Sequence, residues 1–314
     1  MCKLTVVSLF AGIGGIDLAF EETGFDVVWA NEINKYACNT YRNNLKTHIV
    51  ENDISCINVH QIPRANILTA GFPCQSFSTM GYQRGFNDKR GSLFFEIIRV
   101  AKYIKPTVIL LENVRNLIYH DKGLTFITIF NTLAELGYYI KYQVLNAKTH
   151  GNIPQERKRT FLAAFLDYDI MNAFAFPEET KLNISVDDIL NREEEHSEIY
   201  YYNNVNKYFE LLNKKIYDCT GIYRIDDSGV AMKKYELCPT LKANMGTYPD
   251  RVPIIRDNFG IRKLTPYECL ALQGFPSCFS FRGIPLNEAY KQVGNTVCVP
   301  VVKRIAKKLY DVLT

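Results

Sequence analysis

The chain has 314 residues, 47% hydrophobic and 22% charged, a globular composition that excludes disordered and collagen-like chains and leaves room for one large domain or two unequal ones. Its formal net charge of +4 neither demands nor forbids a nucleic-acid partner, because a clustered basic face matters more than the total. No apolar run approaches the ~18–20 residues that cross a bilayer, and the first residues lack the parts of a signal peptide, so no membrane partner and a cytoplasmic location are expected.

The first ~165 residues alternate strand-like and helix-like segments, the pattern of an α/β fold with a mostly parallel sheet. Strands are expected at Lys3–Leu9, Val27–Ala30, His48–Glu51, Ile67–Ala70, Val108–Leu111, Tyr139–Leu145 and Thr160–Phe165. Helices are expected at Ile16–Thr23, Tyr36–Asn44, Phe94–Tyr103 and Phe126–Leu136. Between Pro73 and Gly91 no period holds, yet glycines recur beside Arg84, Lys89 and Arg90. A loop of that length inside a domain reads as a basic lid. From about Tyr168 the βα alternation stops, with short β-like pieces at Gly221–Ile225 and Val252–Ile255. Order returns at Thr265-Pro266-Tyr267-Glu268, a capping box that starts a helix to Leu272, and a last helix covers Val299–Leu313. The expected division is therefore 1–167, a smaller domain over 168–260, and a segment 261–314 that returns to the first domain. Lys303, Arg304, Lys307 and Lys308 on the last helix read as a solvated face.

The nine cysteines are an odd number and contain no CxxC. With five scattered histidines they offer no zinc spacing, so no metal is expected, and the thiols read as reduced. Eight read as small packing residues, leaving one candidate nucleophile.

Three acid or glycine features sit at strand ends. Ser8-Leu9-Phe10-Ala11-Gly12-Ile13-Gly14-Gly15 is a turn whose glycines let backbone approach a ligand, but Asp17 stands where a dinucleotide fingerprint wants glycine. Glu32 ends the second strand, where a carboxylate can bind ribose hydroxyls, and Asp53 follows the third, placed for an adenine amino group. Each acid could equally be a cap. Together they favour an adenosine ligand without a pyrophosphate.

Cys74, in Gly71-Phe72-Pro73-Cys74-Gln75-Ser76-Phe77-Ser78, follows the fourth strand, where ligands bind in open α/β sheets. Glu112 in Leu111-Glu112-Asn113-Val114 ends the next strand. A nucleophile and an acid on neighbouring strand ends form a catalytic constellation.

These segments, with Gln155-Glu156-Arg157-Lys158-Arg159, Arg262-Lys-Leu-Thr-Pro, Gln273-Gly274-Phe275-Pro276 and Gln292-Val-Gly294-Asn295, resemble in order the motif set of DNA cytosine-5 methyltransferases. The resemblance covers all but about residues 168–235, and the size is similar to compact bacterial enzymes that accompany restriction endonucleases. It implies a Rossmann-like S-adenosylmethionine-dependent catalytic domain, a small target-recognition domain and duplex DNA as substrate. By motif position, Phe10, Gly12, Gly14, Glu32, Asp53, Pro73, Leu93 and Asn295 would hold S-adenosylmethionine, so the C-terminal helix must pack back on the first domain. Cys74 would attack C6 of a flipped-out cytosine and Glu112 would protonate or hydrogen-bond N3. Arg159 would hold O2, and Arg157 would add positive charge around the thiolate and phosphates; for both, an exposed strand-edge pair is the bland alternative. Gln75, Ser76, Ser78 and Arg84 of the lid, and Thr240, Leu241 and Arg251 of the second domain, would touch DNA, Arg251 by reading guanine. The acidic run Glu193–Glu195 is not expected to face phosphates.

A recognition site of about four to five base pairs, a monomer, a nucleoid-associated location, and functional pairing with a cognate endonuclease without a stable complex complete the expectation. A transfer-RNA methyltransferase of the same fold is the alternative, disfavoured by the long variable region after Arg159. A nicotinamide oxidoreductase lacks its catalytic residues here, and a non-catalytic DNA-binding relic is disfavoured by intact Cys74, Glu112, Arg157 and Arg159.

Overall fold

Seven strands carry the first unit of the chain, and their buried runs explain why a sheet forms. The computed structural model describes residues 3–72, 93–217, 219–226, 229–233, 237–247 and 251–314, with backbone only at 226 and 229–233. The expected lid, including Pro73, Cys74, Gln75, Ser76, Ser78, Arg84, Lys89 and Arg90, lies outside the described residues. In chain order come β1 (Thr5–Leu9), α1 (Gly15–Glu21), β2 (Asp26–Glu32), α2 (Lys35–Asn44), β3 (Ile49–Glu51), β4 (Ile67–Gly71), α3 (Leu93–Ile104), β5 (Val108–Val114), α4 (Leu124–Glu135) and β6 (Tyr139–Asn146). After α5 (Ala147–Gly151) and β7 (Gln155–Glu156) follow β8 (Lys158–Phe165) and α6 (Tyr168–Ala173).

The sheet order is β3-β2-β1-β4-β5-β8-β6, with β1 through β5 paired in parallel and β8 antiparallel to β5. Ile67–Ala70, Val108–Leu111 and Thr160–Phe165 are buried without alternation, as strands covered on both faces must be. Helix α3 instead buries Phe94, Ile97, Ile98, Ala101 and Ile104 at helical spacing, and these join Leu68, Ile109 and Leu162 in one core. Every strand and helix expected before residue 166 is present within a few residues.

Contacts divide the chain into Met1–Leu145, Lys158–Glu178 and Val301–Thr314 on one side and Asn146–Arg157 with Glu179–Pro300 on the other. These bounds differ from those expected from composition. Residues 168–178 stay with the first unit, where Phe174 packs its ring 5.1 Å from Phe165 and its carbonyl accepts from the Lys141 ammonium at 2.6 Å. The last helix, α10, spans Val299–Leu313, and most of it belongs to the first unit, where the Tyr310 ring meets Phe25 edge-on at 5.5 Å and Lys303 pairs with Glu22 at 2.7 Å.

The second unit holds α7 (Phe209–Lys215), β9 (Ile222–Asp226), β10 (Gly229–Lys233), β11 (Cys238–Pro239), β12 (Ile254–Arg256), β13 (Ile261–Lys263), α8 (Pro266–Ala271) and α9 (Leu286–Asn295). A four-stranded sheet, β10-β9-β12-β13, packs Tyr223, Ile225, Ile254 and Ile261 against Leu212 and Ile216. Arg262, fully buried, pairs with Asp257 at 2.5 Å and with Glu268 at 2.8 Å. Glu268 also closes the expected capping box with Thr265. The three acidic residues Glu193–Glu195 are exposed.

Candidate active site

The glycine turn follows β1. Phe10 and Gly12 take left-handed backbone angles (φ 55° and 58°), and a Cβ at Gly12 would meet nothing within 4 Å among the described residues, so they leave open space where a ligand could lie. Gly14 is different. Its φ is 85°, and a Cβ there would stand 2.1 Å from Leu45 Cδ1 and 2.9 Å from Tyr41 Cε2. Glycine at position 14 therefore serves packing as much as ligand approach.

Glu32 is bound to that turn. Its Oε2 accepts from the Gly12 amide at 3.0 Å, and Oε1 accepts from the amides of Ile33 and Asn34 at 3.0 and 2.9 Å. A carboxylate offers about four acceptor sites, so oriented oxygens can still take ribose hydroxyls. Asp53 caps the turn Ile54–Cys56, its Oδ1 accepting from the Ser55 amide and hydroxyl at 2.9 and 2.8 Å. The capping alternative is thus realised at Asp53. Leu93 begins α3, half-buried against the core of the sheet. Asn295, the last residue of α9, is exposed in the second unit.

The register puts Glu112 opposite Gly71 of β4 and opposite Phe161 of β8, while Val114 pairs with Arg159. Arg159 Nε lies 3.1 Å from Glu112 Oε1, with the two side chains 16% and 12% exposed. This ion pair sits at the strand end that leads, through Gly71 and Phe72, to Cys74. Glu112 Oε2 lies against this piece of chain, 3.4 Å from where a Cβ on Gly71 would stand, an ordinary contact distance. Asn113, buried, donates from Nδ2 to the Phe72 carbonyl at 2.7 Å. It thereby ties the end of β5 to the chain two residues before Cys74. Asn113 lies inside a motif picked out in the sequence, but nothing in one sequence distinguishes its inward amide from a loop residue.

Two expectations need correction. Arg157 is 2% exposed, and its guanidinium donates to the carbonyls of Leu241, Gly294 and Thr296 at 2.7, 3.2 and 2.5 Å. A side chain so placed does not present its charge to phosphates, nor is it an exposed edge residue. Leu241 is 1% exposed; its side chain belongs to the core of the second unit rather than to a DNA-facing surface. Thr240 is half-buried with its hydroxyl on the Glu156 carbonyl, and Arg251 is half-buried.

The cysteines also differ from a uniform packing set. Cys38, Cys238, Cys269 and Cys298 are buried, but Cys56, Cys219 and Cys278 are exposed, and all seven are free thiols. Burial, reinforced by Glu32 and Glu51, pushes the Cys38 thiol up to about 12, and burial alone pushes Cys238 up. Those thiols are unsuited to nucleophilic work at neutral pH. No group of three metal-ligating side chains occurs among the described residues, and no described helix is long and apolar enough to cross a membrane.

Residues 4–311 match the family described as C-5 cytosine-specific DNA methylase. The chain belongs to that family. As a C-5 cytosine-specific DNA methylase it is a DNA cytosine-5 methyltransferase. The methylase is 44% identical over 310 residues to the Type II methyltransferase M.Bsp6I of Bacillus sp. (strain RFL6), covering 98% of each chain. It is 38% identical over 313 residues to the Type II methyltransferase M.HhaI of Haemophilus parahaemolyticus, covering 96% of this chain and 93% of that one. The S. pombe Dnmt2 methyltransferase shares its fold, with a TM-score of 0.75 at 21% identity over 99% of this chain and 100% of the other. The family and the Type II relatives support the DNA-directed reading over the transfer-RNA alternative, and the 21% likeness concerns fold alone.

Proposed function

We propose that this methylase transfers a methyl group from S-adenosylmethionine to C5 of a flipped-out cytosine in a short DNA sequence, protecting host DNA in a restriction-modification system. The observation that carries the reading is the Glu112–Arg159 pair beside Gly71, three residues before Cys74. Cytosine C5 is a poor nucleophile. Attack of the Cys74 thiolate on C6 makes it enamine-like, and loss of the C5 proton later expels the thiolate. Arg159 is the donor for O2, and Glu112 protonates or hydrogen-bonds N3, so an entering cytosine would take up the two partners that now hold each other. Inside a duplex C6 is out of reach, hence the base must leave the stack at a cost of a few kcal/mol.

The open space at Gly12 and the amide-oriented oxygens of Glu32 fit an adenosine-bearing ligand. Phe10, Gly12, Gly14, Glu32, Asp53, Pro73, Leu93 and Asn295 would hold S-adenosylmethionine, which supplies an electrophilic methyl group when bound. Gln75, Ser76, Ser78 and Arg84 would follow the DNA around the flipped base, with Thr240 and Arg251 on the recognition side. A monomer working in the cytoplasm beside the nucleoid, paired functionally with an endonuclease but not bound to it, is the matching cellular picture. The Type II name of the relatives supports the restriction-modification part of that picture.

The deciding experiment maps 5-methylcytosine by bisulfite sequencing of a plasmid from cells expressing the gene. One short methylated motif is expected. A plasmid without 5-methylcytosine, or label appearing in transfer RNA instead, overturns the proposal.

A further inference from the structure

We infer that Arg157 is a positioning residue for target recognition: with Gln155 it builds a cradle that fixes the turn starting at Cys238, and so sets which DNA sequence is accepted. The inference rests on the reading that this turn faces DNA. Every contact used lies within the second unit.

The cradle begins with backbone. Strand β11 pairs in parallel with β7, Cys238 opposite Gln155 and Pro239 opposite Glu156. Thr240 then donates its hydroxyl to the Glu156 carbonyl, and the Leu241 amide donates to Gln155 Oε1 at 3.3 Å. Gln155 is fully buried and uses its other end, Nε2, on the Leu272 carbonyl at 2.6 Å. Arg157 closes the turn from below, one nitrogen on the Leu241 carbonyl and the other shared between Gly294 and Thr296. Those last two carbonyls lie at the C-terminal end of α9, where a cation is also favoured by the helix dipole.

Gly294 gives an independent sign that this turn is held to one place. A Cβ there would lie 2.1 Å from the Lys242 carbonyl carbon and 2.4 Å from the Ala243 nitrogen. Backbone therefore rests on backbone, and the turn cannot shift without moving α9. A planar guanidinium presents its donors from separate nitrogens in a rigid fork, whereas an ammonium donates from one point on a flexible stem. Base discrimination requires donors held to a fraction of an ångström, so loss of the fork should blur the choice of sequence before it slows the chemistry.

The test exploits charge. Arg157→Lys keeps the positive charge and loses the fork, whereas Arg157→Met loses both. Steady-state methylation is measured on the cognate site and its single-base variants, with kcat and KM separated and the pH profile of kcat recorded. Both variants should lose tenfold or more in discrimination and raise KM for DNA, with kcat within about threefold and its acid limb unmoved. If Arg157→Met lost more than a hundredfold in kcat with discrimination intact, and Arg157→Lys restored it, Arg157 would be acting by its charge on the reaction, and the inference would fall. Unchanged discrimination in both variants overturns it too.

Should Arg157→Met not fold, Arg157→Lys and Gln155→Met carry the comparison. Hydrogen exchange separates this inference from the functional reading beneath it. Amides of 238–246 should exchange faster in Arg157→Lys, and unchanged exchange there removes the cradle even if the wild type proves to methylate something else. A wild type that makes no 5-methylcytosine removes the target-recognition role, whatever the exchange shows.

Discussion

Arg157 and Arg159 stand two residues apart, alternate onto the same face in sequence, and do different things. Arg159, in the sheet of the first unit, faces a carboxylate at a partly open strand end. Arg157, in the second unit, donates to three backbone carbonyls and is almost wholly buried. A cation facing neutral carbonyls fixes backbone, while a cation facing a carboxylate at an accessible edge can exchange that partner for a substrate. Residue type set the charge; the partner set the role.

The same contrast runs through the other charged groups. Arg262 with Asp257 and Glu268, and Asp17 with Tyr41, are turned inward, so changing them should alter stability. Cys74 and Glu112 are the residues proposed to react, so changing them should alter turnover and leave folding alone. The largest expected effect is Cys74→Ser, which should lower methyl transfer by about 10⁴-fold or more, roughly 5.5 kcal/mol on the barrier. DNA binding, read by gel shift, should survive; residual methylation near the wild-type rate would remove Cys74 from the chemistry.

Arg262→Met comes next. It leaves Asp257 buried without its counter-charge, a loss of about 3–5 kcal/mol by chemical denaturation. A variant as stable as wild type would mean that the cluster is not the inward-facing type. Glu112→Gln should slow turnover about 10²–10³-fold at unchanged melting temperature, because it keeps the shape and loses the proton. A drop in stability with normal turnover would reverse its place in the comparison.

Asp17→Asn gives the smallest effect and depends on pH. Asp17 is fully buried, and burial raises its carboxyl from 3.8 to about 6, partly offset by the hydroxyls of Ser8 and Tyr41. Tyr41 donates to Oδ2 at 2.7 Å. The folded state thus holds a proton that the unfolded chain has released. Stability from this group is complete below pH 3.8 and declines as pH rises through about 6, by about 3 kcal/mol in all. Asp17→Asn should flatten that decline. Melting curves at pH 4 and pH 8 that shift in parallel for both proteins would contradict it.

Much of this was legible beforehand because it is local. The strands of the sheet are unbroken apolar runs, and Thr265 with Glu268 spells its own cap. The missed pieces were short or mixed: β7, β11 and β13 have two or three residues each, too few to show a period. Helix α9 starts at Leu286 without a side-chain cap and ends in the polar Gln292–Asn295 stretch. Asp53 was readable as an acid after a strand, either cap or ligand contact, and its capping bond to Ser55 depends on a backbone turn that propensity does not decide.

The sequence alone determined the order of the motifs, the acids and nucleophile placed by strand ends, and with them the family, because these are properties of residue type and spacing along one chain. Tertiary structure decided which partners each side chain met. It took the charge of Arg157 inward, buried Leu241, set Asn113 on the Phe72 carbonyl and gave Glu112 to Arg159. The physical reason is range. A strand or cap is settled within a few residues by backbone geometry, whereas Arg157 and its acceptors are separated by 84 to 139 positions and meet only when the second unit folds.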